Sequence, residues 1–175
     1  MEDVKFLTDK LGIRTELDLR GPREVAGMGG ISPMGEKVKW VNRSSASYKK
    51  IFEPWGKDAM AENFRVFTDA DNFPVYFHCI AGADRTGALG IVLLGVAGVE
   101  RDLAIQDWEA TFYPYGFSEI RPEAHWRDLT PLTEGLDAYG EPGDSFMRKC
   151  ELYLMDCGVT PDEIEAYRDI VLEKE

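Results

Sequence analysis

The stretch from Val75 to Val99 leaves the chain few ways to fold. Val75 to Phe77 is a short, apolar, β-prone run entered through Pro74, which suits a strand buried on both faces better than an amphipathic one. Thr86 to Gly98 is apolar nearly all round, the pattern of a central helix packed between a sheet and further helices. His78 to Gly87 joins them as a tight, glycine-containing loop. Strand, loop and buried helix in that order predict an α/β fold, and in such sheets ligands bind at the carboxyl ends of the strands, where these loops lie. We expect a single domain over residues 1–175, with a central, mostly parallel sheet of about four to five strands flanked by helices. A chain of 175 residues, 44% apolar, can close one core and is too short for two comfortable ones.

Around this unit the pattern is readable in outline. Val4 to Leu11 suggests a short helix stopped by Gly12, and Arg14 to Leu19 alternates like a half-buried strand. Gly21-Pro22 turns the chain, and Gly27 to Gly35 is glycine-rich without phosphate-loop spacing, so it is read as a surface connection with no chemistry. Val38 to Val41 can form another strand. Ser45 to Thr68 holds one or two helices, interrupted near Pro54-Trp55-Gly56. From Glu100 the reading is helical. Ala104, Ile105, Trp108 and Phe112 share one face, and Phe146, Cys150, Tyr153, Leu154 and Cys157 share another before Gly158. The last helix opens on Thr160-Pro161-Asp162-Glu163, a capping box, and buries Ile164, Tyr167 and Val171.

The formal net charge of -12 argues against nucleic acid or an anionic membrane as partner, since both call for a basic surface. A phosphate site here must therefore be local, built from backbone N–H groups, a helix N-terminus and one or two arginines. Three cysteines with no Cys-x-x-Cys pair form neither a disulfide framework nor a zinc pattern. Cys150 and Cys157 are read as small core hydrophobes. The acidic start Met1-Glu2-Asp3 has no export-signal character. The most apolar stretch, Ala88 to Val99, falls short of the roughly 20 residues of a membrane span. A reduced, cytoplasmic chain is expected.

Cys79 stands at a strand end, six positions before Arg85 at the start of a buried helix. A cation there is disfavoured by the helix macrodipole, and an anion held between Arg85 and the loop amides reverses the sign. With Gly82 relieving the backbone, Ile80, Ala81, Gly82, Ala83, Asp84, Arg85 and Thr86 can curl into a cradle for a tetrahedral dianion. The same field acidifies the Cys79 thiol. Arg85 can grip two phosphoryl oxygens in a fork, Thr86 can donate to the sulfur, and His78 can fix the loop through its ring nitrogens. None of this calls for a metal or cofactor.

These residues are those of the protein tyrosine phosphatase superfamily signature. His78 to Gly87 resembles the bacterial branch of tyrosine and dual-specificity phosphatases, whose loop reads His-Cys-x-Ala-Gly-Lys-Asp-Arg-Thr-Gly. Leu11 to Arg20, followed by Arg23-Glu24, resembles that branch's segment upstream of the loop, and Gly98-Val99-Glu100 with Asp107 and Tyr153-Leu154 with Gly158-Val159 extend the likeness. The resemblance implies a cysteine-phosphatase fold and hydrolysis of phosphotyrosine, with phosphoserine and phosphothreonine as further substrates, through a phosphocysteine on Cys79. The partner is then a phosphorylated protein or a small phosphoester. Alternatives are an inositol-polyphosphate phosphatase and a catalytically weak phosphate-binding module. Ala83 replaces the branch's lysine, which counts against lipid substrates, and the strand that the branch carries before its Leu-Gly-Ile motif has no counterpart here.

The leaving oxygen needs a proton, and Asp84 is the chosen donor, ahead of Asp58, Asp69 and Asp71 on candidate mobile loops and Asp18 at a strand end. Arg20 and Arg23 either line the pocket or pair with carboxylates, and pairing is favoured. His125 beside Trp126 is either a substrate contact or a packed or surface histidine.

Overall fold

The computed structural model describes residues 2–32, 34–111 and 128–172. Three parallel strands form one sheet in the order β2-β1-β3: β1 (Thr15–Asp18), β2 (Lys39–Asn42) and β3 (Val75–His78). Leu17 of β1 sits opposite Val41 on one side and Phe77 on the other. The architecture is α/β as expected, but the sheet has three strands among the described residues rather than four or five. Beyond β3 every described element is helical, because the apolar residues after Glu100 recur every three to four positions rather than every two.

β1 is the central strand, and all four of its residues are buried, so the expectation of a half-buried strand is corrected. Alternation divides its side chains. Leu17 and Leu19 join the core, on the face where Phe77 meets α4 (Arg85–Val96) at Gly90. Glu16 and Asp18 point the other way and are also 0% exposed. Buried carboxylates in a strand need hydrogen-bond partners; Asp18 has Arg20 and Glu16 has His78, as described below.

Short elements set the chain around the sheet. α1 (Glu2–Lys5) continues as a wide turn over Phe6–Lys10, and Gly12 then takes a left-handed φ of 64°. Gly21-Pro22 does more than turn the chain. Pro22 occupies the first turn of α2 (Pro22–Gly27), where its missing N–H costs nothing, and Glu24 reaches back to accept the Gly21 N–H at 2.7 Å. Pro54 likewise opens α3 (Pro54–Phe64) after a 3-10 turn at Tyr48–Phe52, rather than interrupting a helix. Gly56 is what lets α3 sit on that turn, since a Cβ there would lie 2.0 Å from the Lys50 carbonyl oxygen.

α4 is the hub, with Ala88, Leu89, Ile91, Val92, Leu93 and Val96 buried. Each of the larger side chains contributes about 2 kcal/mol on removal from water. The helix packs against α5 (Arg101–Ala110) and α7 (Phe146–Asp156), and a glycine marks each crossing. A Cβ on Gly87 would stand 2.3 Å from Trp108 Cδ1, and one on Gly95 would stand 2.5 Å from Cys150 Sγ. α6 (Thr130–Asp137) packs on the 3-10 turn before α3. α8 (Pro161–Val171) starts at the expected capping box and buries Ile164 and Tyr167, but Val171, in its final turn, is 37% exposed. Phe112, the loop from Tyr113 to Trp126, and His125 lie outside the described residues. Among the described residues no helix is long and apolar enough to cross a membrane.

Candidate active site

Cys79 follows β3 directly and is 6% exposed. Beyond it the chain curls, with Gly82 at a φ of 72°, a left-handed value that a residue with a Cβ adopts only under strain. Burial of the Cys79 thiol opposes its ionisation, but the Thr86 side chain and the amides of Thr86, Gly82 and Ala81 around it more than offset this and hold the thiol below its ordinary value. The Ile80 side chain points outward and is 62% exposed, whereas Ala83 is fully buried. The Ala83 carbonyl accepts from Trp108 Nε1 at 3.0 Å, which ties the loop to α5.

Arg85 begins α4 and reaches the Cys79 sulfur. Its guanidinium also runs to Glu24, with Nη1 2.6 Å from Oε2 and Nη2 2.9 Å from Oε1. Glu24 thus balances the cation at the helix N-terminus and keeps it beside the sulfur. Asp84 sits at the N-cap of α4, and its Oδ1 accepts from the Tyr48 hydroxyl at 2.7 Å. Tyr48 itself has a φ of 50°, the one non-glycine residue with positive φ among those described, and local strain of this kind persists where surrounding contacts demand it.

The other aspartates weighed for proton donation lie elsewhere. Asp58 is an exposed residue of α3, and Asp69 caps a turn by accepting the Asp71 N–H at 3.0 Å. Asp18 ends β1 beside the loop, but Arg20 holds it from both sides: Nε to Oδ1 and Nη2 to Oδ2 are each 2.8 Å. Burial pushes the Asp18 carboxyl up, and the Arg20 hydrogen bonds more than reverse this, so it stays below the ordinary carboxylate value and is a poor proton donor. Arg20 therefore pairs, and it also lines the cavity that Cys79 opens on; Arg23 is exposed.

His78 has both ring nitrogens engaged, Nδ1 3.0 Å from the Cys79 carbonyl oxygen and Nε2 2.9 Å from Glu16 Oε1. Tyr76 stacks on its ring at 5.3 Å. The second Glu16 oxygen accepts the Ser32 hydroxyl, so the glycine-rich segment, expected to be a bare connection, reaches into the site. Potential ligand atoms of Glu16, Asp18 and His78 gather within 4.8 Å, but Arg20 already occupies both Asp18 oxygens, and a cation beside that guanidinium is unfavourable. A cavity of about 770 Å³ opens on this side of the sheet, bounded by Cys79 to Gly82, Tyr76, Met28 and Ile31.

Four residues here carried no role in the sequence reading: Glu16, Glu24, Tyr48 and Trp108. Only Glu16 announces itself, as a charge in the middle of an otherwise apolar strand pattern, which must find a partner if the strand is buried.

Cys79 thus stands at the end of a parallel strand, beneath the start of a buried helix and near the Arg85 guanidinium, on an α/β scaffold consistent with a phosphatase. The chain belongs to the tyrosine phosphatase family, whose model matches residues 1–173. It is similar to a tyrosine-protein phosphatase of Nostoc commune, with 28% identity over 107 residues, a match covering 61% of this chain and 30% of that relative. The matched stretch thus spans less than a third of the relative's length.

Proposed function

We propose that the chain is a phosphoester hydrolase that removes phosphate from phosphotyrosine in proteins through a phosphocysteine intermediate on Cys79. The observation that carries this reading is the place of Cys79, buried at the end of β3 beneath the Gly82 turn and the start of α4, where the Ala81, Gly82 and Thr86 amides favour the thiolate. The thiolate attacks phosphorus and the bond to the tyrosyl oxygen breaks as Asp84 gives that oxygen a proton. Water then attacks phosphorus, Asp84 takes back a proton, and the sulfur departs as thiolate, leaving inorganic phosphate. Thr86 donates to the departing sulfur. Arg85 has five N–H groups; Glu24 and the Leu19 carbonyl take three of them, and in this reading the Nε–H and the second Nη2–H serve the phosphoryl oxygens.

Phosphotyrosine is favoured over phosphoserine and phosphothreonine by the apolar side chains of Met28, Ile31 and Tyr76 around the cavity at Cys79, which suit an aryl group better than a short alkyl one. Inositol polyphosphates fit less well, since Arg20 is committed to Asp18 and Ala83 supplies no charge. A reactive thiol also needs reducing surroundings, which supports a cytoplasmic location.

The test is hydrolysis of p-nitrophenyl phosphate and of a phosphotyrosine peptide in EDTA, with vanadate as inhibitor and Cys79→Ser as control. Expected are metal-independent turnover, loss of activity in the variant and slower release from phosphoserine peptides and inositol phosphates. Undiminished activity in Cys79→Ser overturns the proposal. Tight phosphopeptide binding without phosphate release would instead make the chain a binding module.

A further inference from the structure

We infer that Glu16 is a positioning residue for this site: from the middle of β1 it keeps His78 as an imidazolium whose second N–H holds the Cys79 carbonyl at the root of the loop. The inference rests on the reading of Cys79 as nucleophile and concerns a residue to which that reading gives no part.

The argument begins with the acceptors. A carbonyl oxygen can only accept, so His78 Nδ1, 3.0 Å from the Cys79 oxygen, carries a hydrogen. An ionised carboxylate can only accept, so Nε2, 2.9 Å from Glu16 Oε1, carries one too. A neutral imidazole has a single N–H and cannot serve both.

The other Glu16 oxygen takes the Ser32 hydroxyl, while the Ser32 oxygen accepts the Met34 N–H at 3.0 Å. The serine is thereby oriented to give its proton to the carboxylate. Fully buried, Glu16 has no water to turn to, and a buried carboxylate is stable only with a paired cation.

The charges facing the ring agree. From β1 come Glu16 and Asp18; Arg20 follows them and takes Asp18. From β3 come the Tyr76 ring and Cys79. Asp3 of α1 lines the same cavity. Two buried carboxylates against one guanidinium leave a buried negative charge, and an imidazolium removes it. Burial pulls His78 down, but Glu16 and the Cys79 carbonyl more than offset this and raise it.

The consequence is electrostatic. The imidazolium places a positive charge at the foot of the loop, on the residue next to the sulfur, where it favours thiolate over thiol. Without the Glu16 charge the ring reverts to one N–H, and the positive charge at the foot of the loop is lost.

The experiment has two arms, neither of which needs turnover. The chain has two histidines, and a His125→Asn background isolates the His78 ring in nitrogen-15 NMR. Both ring nitrogens are expected to be protonated at pH 7, with a midpoint above that of an ordinary histidine. In Glu16→Gln, which keeps shape and hydrogen-bonding capacity, that midpoint is expected to fall. Alkylation of Cys79 by iodoacetamide at pH 6 is expected to slow about tenfold, the equivalent of about one pH unit in its profile, and to recover as pH is raised. Glu16→Asp is expected to retain part of the effect.

A single protonated nitrogen on wild-type His78 at pH 7 overturns the inference. So does an alkylation profile for folded Glu16→Gln that superimposes on the wild type. If Glu16→Gln does not fold, the wild-type ring decides alone. Failure of the phosphatase reading is told apart by absent turnover, which leaves both arms measurable.

Discussion

Substituting Gly87 by alanine probes the contact between the loop helix and α5, and the structure allows the cost to be worked out. The new Cβ would lie 2.3 Å from Trp108 Cδ1 and 2.8 Å from Nε1, against a comfortable carbon separation of about 3.5–4.0 Å. The indole, 5% exposed and packed in the core, must retreat by more than about 1 Å. Its hydrogen bond to the Ala83 carbonyl, now 3.0 Å, then passes the range in which such bonds hold. Overpacking costs about 1–3 kcal/mol, and an unsatisfied buried carbonyl adds about 1–3 kcal/mol. The better helix propensity of alanine returns about 1 kcal/mol. The net expectation is a loss of about 1–5 kcal/mol. In urea, at about 2 kcal/mol per molar, the midpoint falls by about 0.5–2.5 M with the slope unchanged. Gly90→Ala is the control, three residues along the same helix, where the nearest atom, Phe77 Cζ, lies 3.9 Å from the added Cβ. It is expected to be neutral or stabilising by up to about 1 kcal/mol. If the two variants have the same midpoint, the account of Gly87 as the seat of Trp108 is wrong.

Other outcomes follow from the same site. Burial raises the Cys150 thiol and pushes Cys157 up to about 12, whereas the loop lowers Cys79; brief iodoacetamide treatment at pH 7 should therefore label Cys79 alone by mass spectrometry, and comparable labelling of all three would contradict this. Asp18→Asn leaves Arg20 buried against a neutral amide and should cost about 3–5 kcal/mol at pH 7. Because the Asp18 carboxyl in the folded chain lies below its ordinary 3.8, its contribution is complete above that pH and lost as pH falls through the folded value. The penalty measured by urea titration should accordingly shrink on acidification below pH 3.8. Asp84→Asn should lower kcat on a phosphotyrosine peptide by about 100-fold and on p-nitrophenyl phosphate much less, since nitrophenolate leaves without a proton; equal losses on both substrates would remove Asp84 from proton transfer.

The readable parts of this chain are those whose physics is local. β3, the loop and α4 could be placed because the apolar run, the glycine and the all-round apolar helix follow one another within the single stretch from Val75 to Gly98. The final capping box was legible for the same reason, as Thr160 and Glu163 complete it between themselves. The reading erred where packing decides. Two prolines taken as breaks open helices, because a missing N–H is harmless at a first turn. Val171 has the right periodicity, but α8 ends before reaching cover.

Sequence alone was enough to place Cys79 at a strand end, Arg85 six positions on at a helix start and the glycine turn between them, since a short chain between a strand and a helix has little freedom. It could not say what surrounds them. Glu24 reaches Arg85 across 61 positions, Glu16 reaches His78 across 62, and Trp108 reaches Ala83 across 25. No periodicity encodes such pairings. They exist because parallel strands and crossing helices bring distant segments within hydrogen-bonding distance, and because buried charges, once there, must be matched.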